Sequence, residues 1–189
     1  MGMTPFRRLA YALLSLIPFY LFRVRVPILG DGPSYIQRLT VYPTGGNMGW
    51  HEWGTVGLVR FIYWAIGGHN EDDAFMAYQV MSWACGVAYV WLCVGIAEDM
   101  EVGKTGQRSA YFLTLACLLT PGTLANFCGY PENYGPLTVG VTAFLWTGMR
   151  YLRGKGSLYA PALVFGATVA MHFTAIVLAP AMAWLAWKE

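Results

Sequence analysis

The sequence predicts an all-α protein, a polytopic membrane helix bundle, and three observations support that prediction. The chain is 57% hydrophobic and only 12% charged, whereas soluble domains carry about 25% charged residues. Its apolar residues are gathered into long stretches, and a membrane-spanning helix needs roughly 20 of them. The basic residues are divided unevenly between the segments that separate these stretches. We interpret residues 1–189 as one transmembrane domain and expect it to be the N-terminal part of a longer module.

Several stretches are apolar enough to cross or enter a bilayer: residues 9–22, 74–97, 110–127, 136–151 and 159–187. The first follows Arg7 and Arg8 and resembles a signal sequence, but no small-x-small cleavage site follows it, which favours an uncleaved anchor. The last is too long for one straight crossing and contains His172 near its middle. It predicts either two short helices that meet near His172 within the membrane or one long tilted helix.

A shorter apolar stretch, residues 55–67, is predicted to lie in the membrane interface. At about 1.5 Å per residue it reaches roughly 20 Å, short of the ~30 Å hydrocarbon core. Arg60 lies at its centre, and aromatic residues typical of the interface flank it. If this helix does not cross, the positive-inside rule assigns one set of basic residues to the inner side: Arg7, Arg8, Lys104, Arg108, Arg150, Arg153 and Lys155. Asp31, Asp72 and Glu132 then face the outside together.

Two polar islands stand out at the outer ends of these stretches. The first island is residues 30–35, Gly-Asp-Gly-Pro-Ser-Tyr, and the second is residues 129–135, Gly-Tyr-Pro-Glu-Asn-Tyr-Gly. Ionisable groups at a membrane edge are costly and usually functional. Asp31 is a candidate to accept a proton from an attacking hydroxyl or to orient it, and the alternative is a turn-forming Asp-Gly pair. Glu132 is a candidate ligand for a sugar hydroxyl, a metal or an acceptor amine, and the alternative is a plain loop glutamate.

Other candidates lie beside the islands. His51 and Glu52 stand between two tryptophans, which suits a sugar ring or equally a lipid headgroup. His172 is either a packing residue or, at the tip of a broken helix, a phosphate or substrate contact. Arg38 lies on the outer side, where a guanidinium suits a lipid phosphate or is simply solvated.

Composition also argues against several classes of protein. The net charge of +2 is too small to indicate a nucleic-acid partner. The sequence contains no P-loop, HExxH motif or nucleophile elbow. The cysteines show no metal-binding spacing and are predicted to be small buried apolar residues rather than a disulfide framework: Cys85, Cys93, Cys117 and Cys128.

On these motifs the chain resembles the GT-C superfamily of polytopic glycosyltransferases. The order of its segments is similar to that of protein O-mannosyltransferases, aminoarabinose transferases and bacterial proteins with a RgtA/B/C/D-like domain. Residues 30–39, GDGPSYIQRL, match the place of the family's acidic motif in the first loop, and GYPENYG resembles its tyrosine-rich motif in the second loop. The segment around His172 is similar to the family's polar break after a Gly/Ala-rich half-helix. Glu52-Trp53-Gly54 stands where many members have Pro-Leu or Pro-Pro.

The resemblance implies a GT-C-like N-terminal half with an amphipathic first outer loop, anchored in a lipid bilayer that we expect to be a bacterial inner (plasma) membrane. It implies transfer of a sugar from a polyprenyl-phosphate donor to a glycan, lipid or protein acceptor at the extracytoplasmic face. Asp31 would be the catalytic base, and the substrate-binding residues would be Tyr35, Arg38, His51, Glu52, Tyr130, Glu132, Asn133, Tyr134 and His172. A divalent metal is left open. Two other classes remain as alternatives, a transporter or flippase subunit and a non-catalytic membrane assembly protein.

Overall fold

Helices form all the regular secondary structure of residues 4–26, 30–42, 50–102 and 108–188, which are the residues that the computed structural model describes. Within these ranges there is no strand, so the all-α prediction is confirmed. In chain order the helices are α1 (Pro5–Leu14), α2 (Leu16–Leu21), α3 (Gly32–Val41), α4 (Trp53–Ala65), α5 (Glu71–Val102), α6 (Arg108–Leu118), α7 (Pro121–Ala125), α8 (Tyr134–Leu152), α9 (Tyr159–Met171) and α10 (Ala179–Trp187), with 3₁₀ helices at Trp50–Glu52 and Phe173–Leu178.

The long helix α5 is the centre of the bundle. It packs against α1, α2, α3, α4, α6 and α8. Among the described residues, Glu71–Met100 within α5 is the one helix that is both long and apolar enough to cross a membrane, judged by length and composition. Shorter apolar helices lie at Ser109–Leu118, Tyr159–Met171 and Phe173–Trp187. The predicted interfacial stretch forms α4, whose 13 residues reach roughly 20 Å.

Two of the predicted apolar segments are interrupted, because each contains a proline. Residues 9–22 form α1 and α2 with a break at Ser15. Pro18 lacks an N–H and its ring crowds the carbonyl four residues earlier, which accounts for the break. Residues 110–127 form α6 and α7, and α7 restarts at Pro121 with Thr120 as its N-cap. Each of these two apolar stretches therefore forms two shorter helices.

The last apolar segment breaks and turns back at His172. Helix α9 ends at Met171, and α10 begins after the 3₁₀ helix. The Leu185 Cδ1 atom lies 3.3 Å from the point where a Cβ of Gly148 would stand, near the C-terminal end of α8. A straight helix beyond His172 would carry Leu185 roughly 20 Å further from that end. This segment is therefore two helices with a break at His172, and not one long tilted helix.

Ion pairs join the helices near the C-terminal end of α5. Arg8 on α1 pairs with Glu98, and the Arg150 Nη1 atom lies 3.0 Å from Asp99 Oδ2. The polar islands contact the opposite, N-terminal half of α5, as described below. The described basic residues that were predicted to lie inside are thus at one end of the bundle. The islands, which were predicted to lie outside, are at the other end. Lys104 is not among the described residues.

The four cysteines are free thiols. Cys85 and Cys93 are buried and Cys128 is partly buried. Cys117 is exposed, so the prediction of burial is wrong for this residue. Its helix α6 packs chiefly against α5, which leaves the other face of α6 uncovered.

Candidate functional site

Polar side chains on α5 hold the two island segments next to each other. The Ser82 hydroxyl accepts a hydrogen bond of 3.1 Å from the backbone N–H of Gly129. The Gln79 amide donates to the carbonyl of Val24 at 2.8 Å. The backbone N–H of Val24 in turn donates to the carbonyl of Cys128 at 2.8 Å. The segment that precedes the first island is therefore fixed to the segment that precedes the second.

The two islands are in contact, and glycine makes the contact feasible. Gly30 has φ +62°, and a Cβ at this position would lie 3.3 Å from Glu132 Oε1. A Cβ on Gly32 would lie 2.7 Å from Pro131 Cγ, closer than packing allows. The glycines on either side of Asp31 thus let the backbone of the first island lie directly against the second.

Asp31 is exposed between these two contacts. It occupies the N-cap position of α3, but its side chain makes no capping hydrogen bond. Its charge is near enough to Glu132 and Tyr35 to raise the pKa of both groups. The structure therefore brings the two acidic residues of the islands together and does not use Asp31 as a helix cap.

Glu52 is the most buried acid of the site, with 6% of its surface exposed. Its Oε2 accepts a hydrogen bond of 2.6 Å from the Asn133 amide in the second island. Its Oε1 accepts a longer hydrogen bond of 3.5 Å from the Tyr35 hydroxyl in the first island. The same oxygen lies 3.3 Å from His172 Nε2 and 3.8 Å from His51 Nε2. One carboxylate therefore touches both islands and the break at His172.

The ring of His172 is fixed on both sides. Its Nδ1 accepts a hydrogen bond from the backbone N–H of Thr174 at 3.3 Å, which caps the 3₁₀ helix. Tyr134 stacks on the ring with 5.5 Å between centroids and 26° between planes. Because Nδ1 is an acceptor, the neutral ring carries its proton on Nε2, the atom that faces Glu52. That Nε2 is not aligned well enough with the carboxylate to form a hydrogen bond.

Burial and the charges of Asp31 and Glu52 raise the pKa of two neighbouring groups, Glu132 and Tyr35. Burial, followed by the charges of Asp31 and Glu52, raises the pKa of Glu132 above the usual value for a glutamate. Burial, followed mainly by Glu52, Glu132 and Asp31, raises the pKa of Tyr35 to about 12. Tyr35 is therefore a neutral hydroxyl donor at physiological pH, and the raised pKa of Glu132 favours its protonated form.

Two polar cavities flank this acidic centre. One, of about 200 Å³, is lined by Asp31, Ser34, Tyr35, Arg38, His51 and Glu52. The other, of about 210 Å³, is lined by Val24, Ala125, Asn126, Tyr130, Glu132, Tyr134 and Gly135. The Tyr130 hydroxyl, Asn133 Oδ1 and His172 Nε2 are buried without a hydrogen-bond partner. Buried polar atoms left unpaired in a native fold are places where a ligand or water completes the hydrogen bonding.

An apolar cavity of about 380 Å³ lies below the polar centre, between α4, α5, α8 and α9. Its lining includes Pro136, which follows the second island, and Met171, which precedes the break. Thr168 is the polar side chain among its lining residues. A long apolar group could therefore lie in the bundle with its polar end at the acidic centre.

All ten predicted site residues lie in these cavities or contact their walls, namely Asp31, Tyr35, Arg38, His51, Glu52, Tyr130, Glu132, Asn133, Tyr134 and His172. Sequence reasoning missed Gln79 and Ser82, which hold the islands. They are polar and three residues apart in an apolar helix, so they share one helix face. That spacing indicates a polar contact on this face and could have been recognised in the sequence. In the described part of the chain, no group of three or more His, Cys, Asp or Glu side chains is arranged to hold a metal ion.

Compared with known proteins, the chain matches no family model, no characterised protein and no solved structure.

Proposed function

We propose that the chain is the N-terminal part of a polytopic membrane glycosyltransferase that moves a sugar from a polyprenyl-phosphate donor to an acceptor at the extracytoplasmic face. The observation that supports this proposal best is the contact between the two islands, with a Gly30 Cβ position only 3.3 Å from Glu132 Oε1. That contact gathers acidic side chains at one end of the bundle. A transporter would instead need its acids near the middle of the membrane.

The apolar cavity supports a lipid-linked donor. An isoprenoid chain lying between α4, α5, α8 and α9 would bring its phosphate and sugar to the polar centre beyond Met171 and Pro136. The donor would then remain in the membrane while its sugar reaches the outer face. The unpaired polar atoms of Tyr130, Asn133 and His172 are available to bind sugar hydroxyls.

The proposed reaction is a single displacement at the anomeric carbon. A hydroxyl oxygen of the acceptor attacks this carbon while Asp31 takes the hydroxyl proton. The bond between the anomeric carbon and the phosphate oxygen breaks, and the polyprenyl phosphate leaves with the electron pair. Arg38 lines the same cavity as Asp31 and supplies positive charge for the leaving phosphate. No step in this scheme requires a metal ion.

Blocking the apolar cavity is expected to remove donor binding. Ala167 lines the cavity, and a phenylalanine there would fill part of the space that the isoprenoid chain needs. We expect Ala167→Phe to weaken binding of a polyprenyl-phosphate sugar in nanodiscs at least about tenfold, because several buried methylene groups lose their contacts. Gly166→Phe is the matched control, since the space beside Gly166 is open. Equal donor binding by the two variants would place the lipid elsewhere.

A further inference from the structure

We propose that Glu52 is a positioning residue that fixes the break at His172 and the second island relative to the first. Sequence reasoning treats Glu52 as a residue that contacts substrate, whereas its surroundings indicate a role through other side chains. Its carboxylate is buried, and both of its oxygens face groups of the protein. Asp31, by contrast, is exposed and does not serve as a cap. A group that is enclosed in this way orients its neighbours more readily than it meets a substrate.

Three donors from separate parts of the chain converge on this carboxylate. Asn133 Nδ2 lies 2.6 Å from Oε2, while the Tyr35 hydroxyl and His172 Nε2 lie 3.5 Å and 3.3 Å from Oε1. A buried carboxylate is costly unless donors surround it. Asn133 and Tyr35 donate hydrogen bonds to the two carboxylate oxygens, and His172 Nε2 faces Oε1 without being aligned for a hydrogen bond. Loss of the carboxylate would leave the donors without a common partner.

The backbone around Glu52 reinforces this arrangement. Thr55, in the first turn of α4, donates a hydrogen bond of 2.9 Å to the carbonyl of Met171, one of the groups left open where α9 ends. A Cβ at Gly54 would lie 2.4 Å from the Ala170 carbonyl oxygen, so only glycine allows the backbones to approach this closely. Residues 52–55 therefore hold the end of α9 through a side chain, a hydroxyl and direct backbone contact.

The pairing between Glu52 and Asn133 permits an exchange that separates positioning from acid–base chemistry. In Glu52→Gln, one of the two acceptor oxygens is replaced by an amide NH₂ group. Asn133 and Tyr35 must then share the single oxygen that remains. In Asn133→Asp, two carboxylates would lie in hydrogen-bond contact inside the protein. In the double variant, the amide introduced by Glu52→Gln donates to the carboxylate introduced by Asn133→Asp, and the amide oxygen still accepts from Tyr35 and faces His172. The charge has moved from position 52 to position 133, but the Tyr35 hydroxyl and the new amide each have an acceptor.

We expect each single variant to lower the Tm of the purified protein by roughly 5–10 °C and the double variant to recover most of that loss. The orientation of His172 gives a second readout. The chain has 3 histidines, so His51→Gln and His69→Gln leave His172 as the single source of a ¹⁵N-histidine NMR signal. Thr174 keeps the proton on Nε2 in every variant, so the change to measure is in the position of the ring. The signal should shift and broaden in Glu52→Gln, and it should return toward the parent signal in the double variant.

A third readout, the rate of sugar transfer, rests on the proposed function. A misplaced catalytic group costs up to about 10²-fold, so each single variant should lose about 10- to 100-fold in kcat, and the double variant should regain most of it. Single variants with unchanged Tm and NMR signal would overturn the positioning role, as would a double variant no better than the worse single one. If no variant and no parent protein transfers sugar, the proposed function fails, while Tm and NMR still decide the role of Glu52.

Discussion

Under the proposed function, Asp31→Asn is expected to abolish sugar transfer by the full-length protein while expression and donor binding stay near their normal levels. Asparagine keeps the shape of the side chain and removes the proton acceptor. General-base groups contribute about 10²- to 10⁴-fold to rate, so the loss should far exceed assay error. Asp31 is exposed and makes no capping hydrogen bond, so the substitution should leave α3 intact. The measurement is kcat together with the affinity for the polyprenyl-phosphate donor.

Asp72→Asn is the matched control for this experiment. Asp72 is also an exposed aspartate at the same end of the bundle, in the first turn of α5, but it lines neither polar cavity. We expect it to retain full activity. Near-normal turnover by Asp31→Asn would mean that its carboxylate is a turn residue, and the case for a transferase would then depend on the second island alone.

Glu132→Gln is expected to reduce transfer and, at neutral pH, to raise Tm. Burial and the charges of Asp31 and Glu52 raise the pKa of Glu132 in the folded state. A raised pKa means that the folded protein favours the protonated form, so the stabilisation is present at low pH and is lost as pH rises through the folded pKa. Glutamine resembles the protonated form and removes that loss. The Tm advantage of the variant should therefore shrink as the pH is lowered.

The activity of Glu132→Gln should fall by roughly 10- to 100-fold, because a hydrogen bond to a charged group contributes about 1.5–3 kcal/mol. This combination of higher stability and lower activity is typical of residues kept for function. Glu71→Gln, an exposed glutamate at the start of α5, should change neither quantity. A variant with lower Tm across the whole pH range would show that Glu132 stabilises the fold, contrary to the pKa argument.

Much of the helical arrangement is predictable from periodic apolar stretches and from single residues that break them. For the stretch around His172, the sequence predicted either a break or one long tilted helix. The structure has the break, and the chain turns back toward Gly148. The interruptions before Pro18 and Pro121 were also readable in principle, since proline ends helices for a local reason. Helix length adds a constraint that apolar composition does not give: among the described residues, α5 is the one helix both long and apolar enough to cross a membrane.

The site was predictable where local composition marked it. The islands around Asp31 and Glu132 combine glycine, proline and tyrosine with an acid, and the structure brings them into contact. The central position of Glu52 was not predictable, because it depends on a partner 81 residues away, Asn133. Nothing in the sequence near Trp50-His51-Glu52-Trp53 separates a buried carboxylate from one at a lipid headgroup. Glu52 is buried because the fold brings both islands and the break at His172 against it.

The most direct test of the central claim is transfer itself. The full-length protein in nanodiscs would be given polyprenyl-phosphate sugars labelled in the sugar, with a membrane extract as the source of acceptor. The proposed function predicts that label leaves the lipid fraction and enters the acceptor, with one polyprenyl phosphate released per sugar and none released by Asp31→Asn. If no labelled donor is bound or consumed, or if label crosses the membrane while still attached to its lipid, the protein is not a glycosyltransferase of this kind.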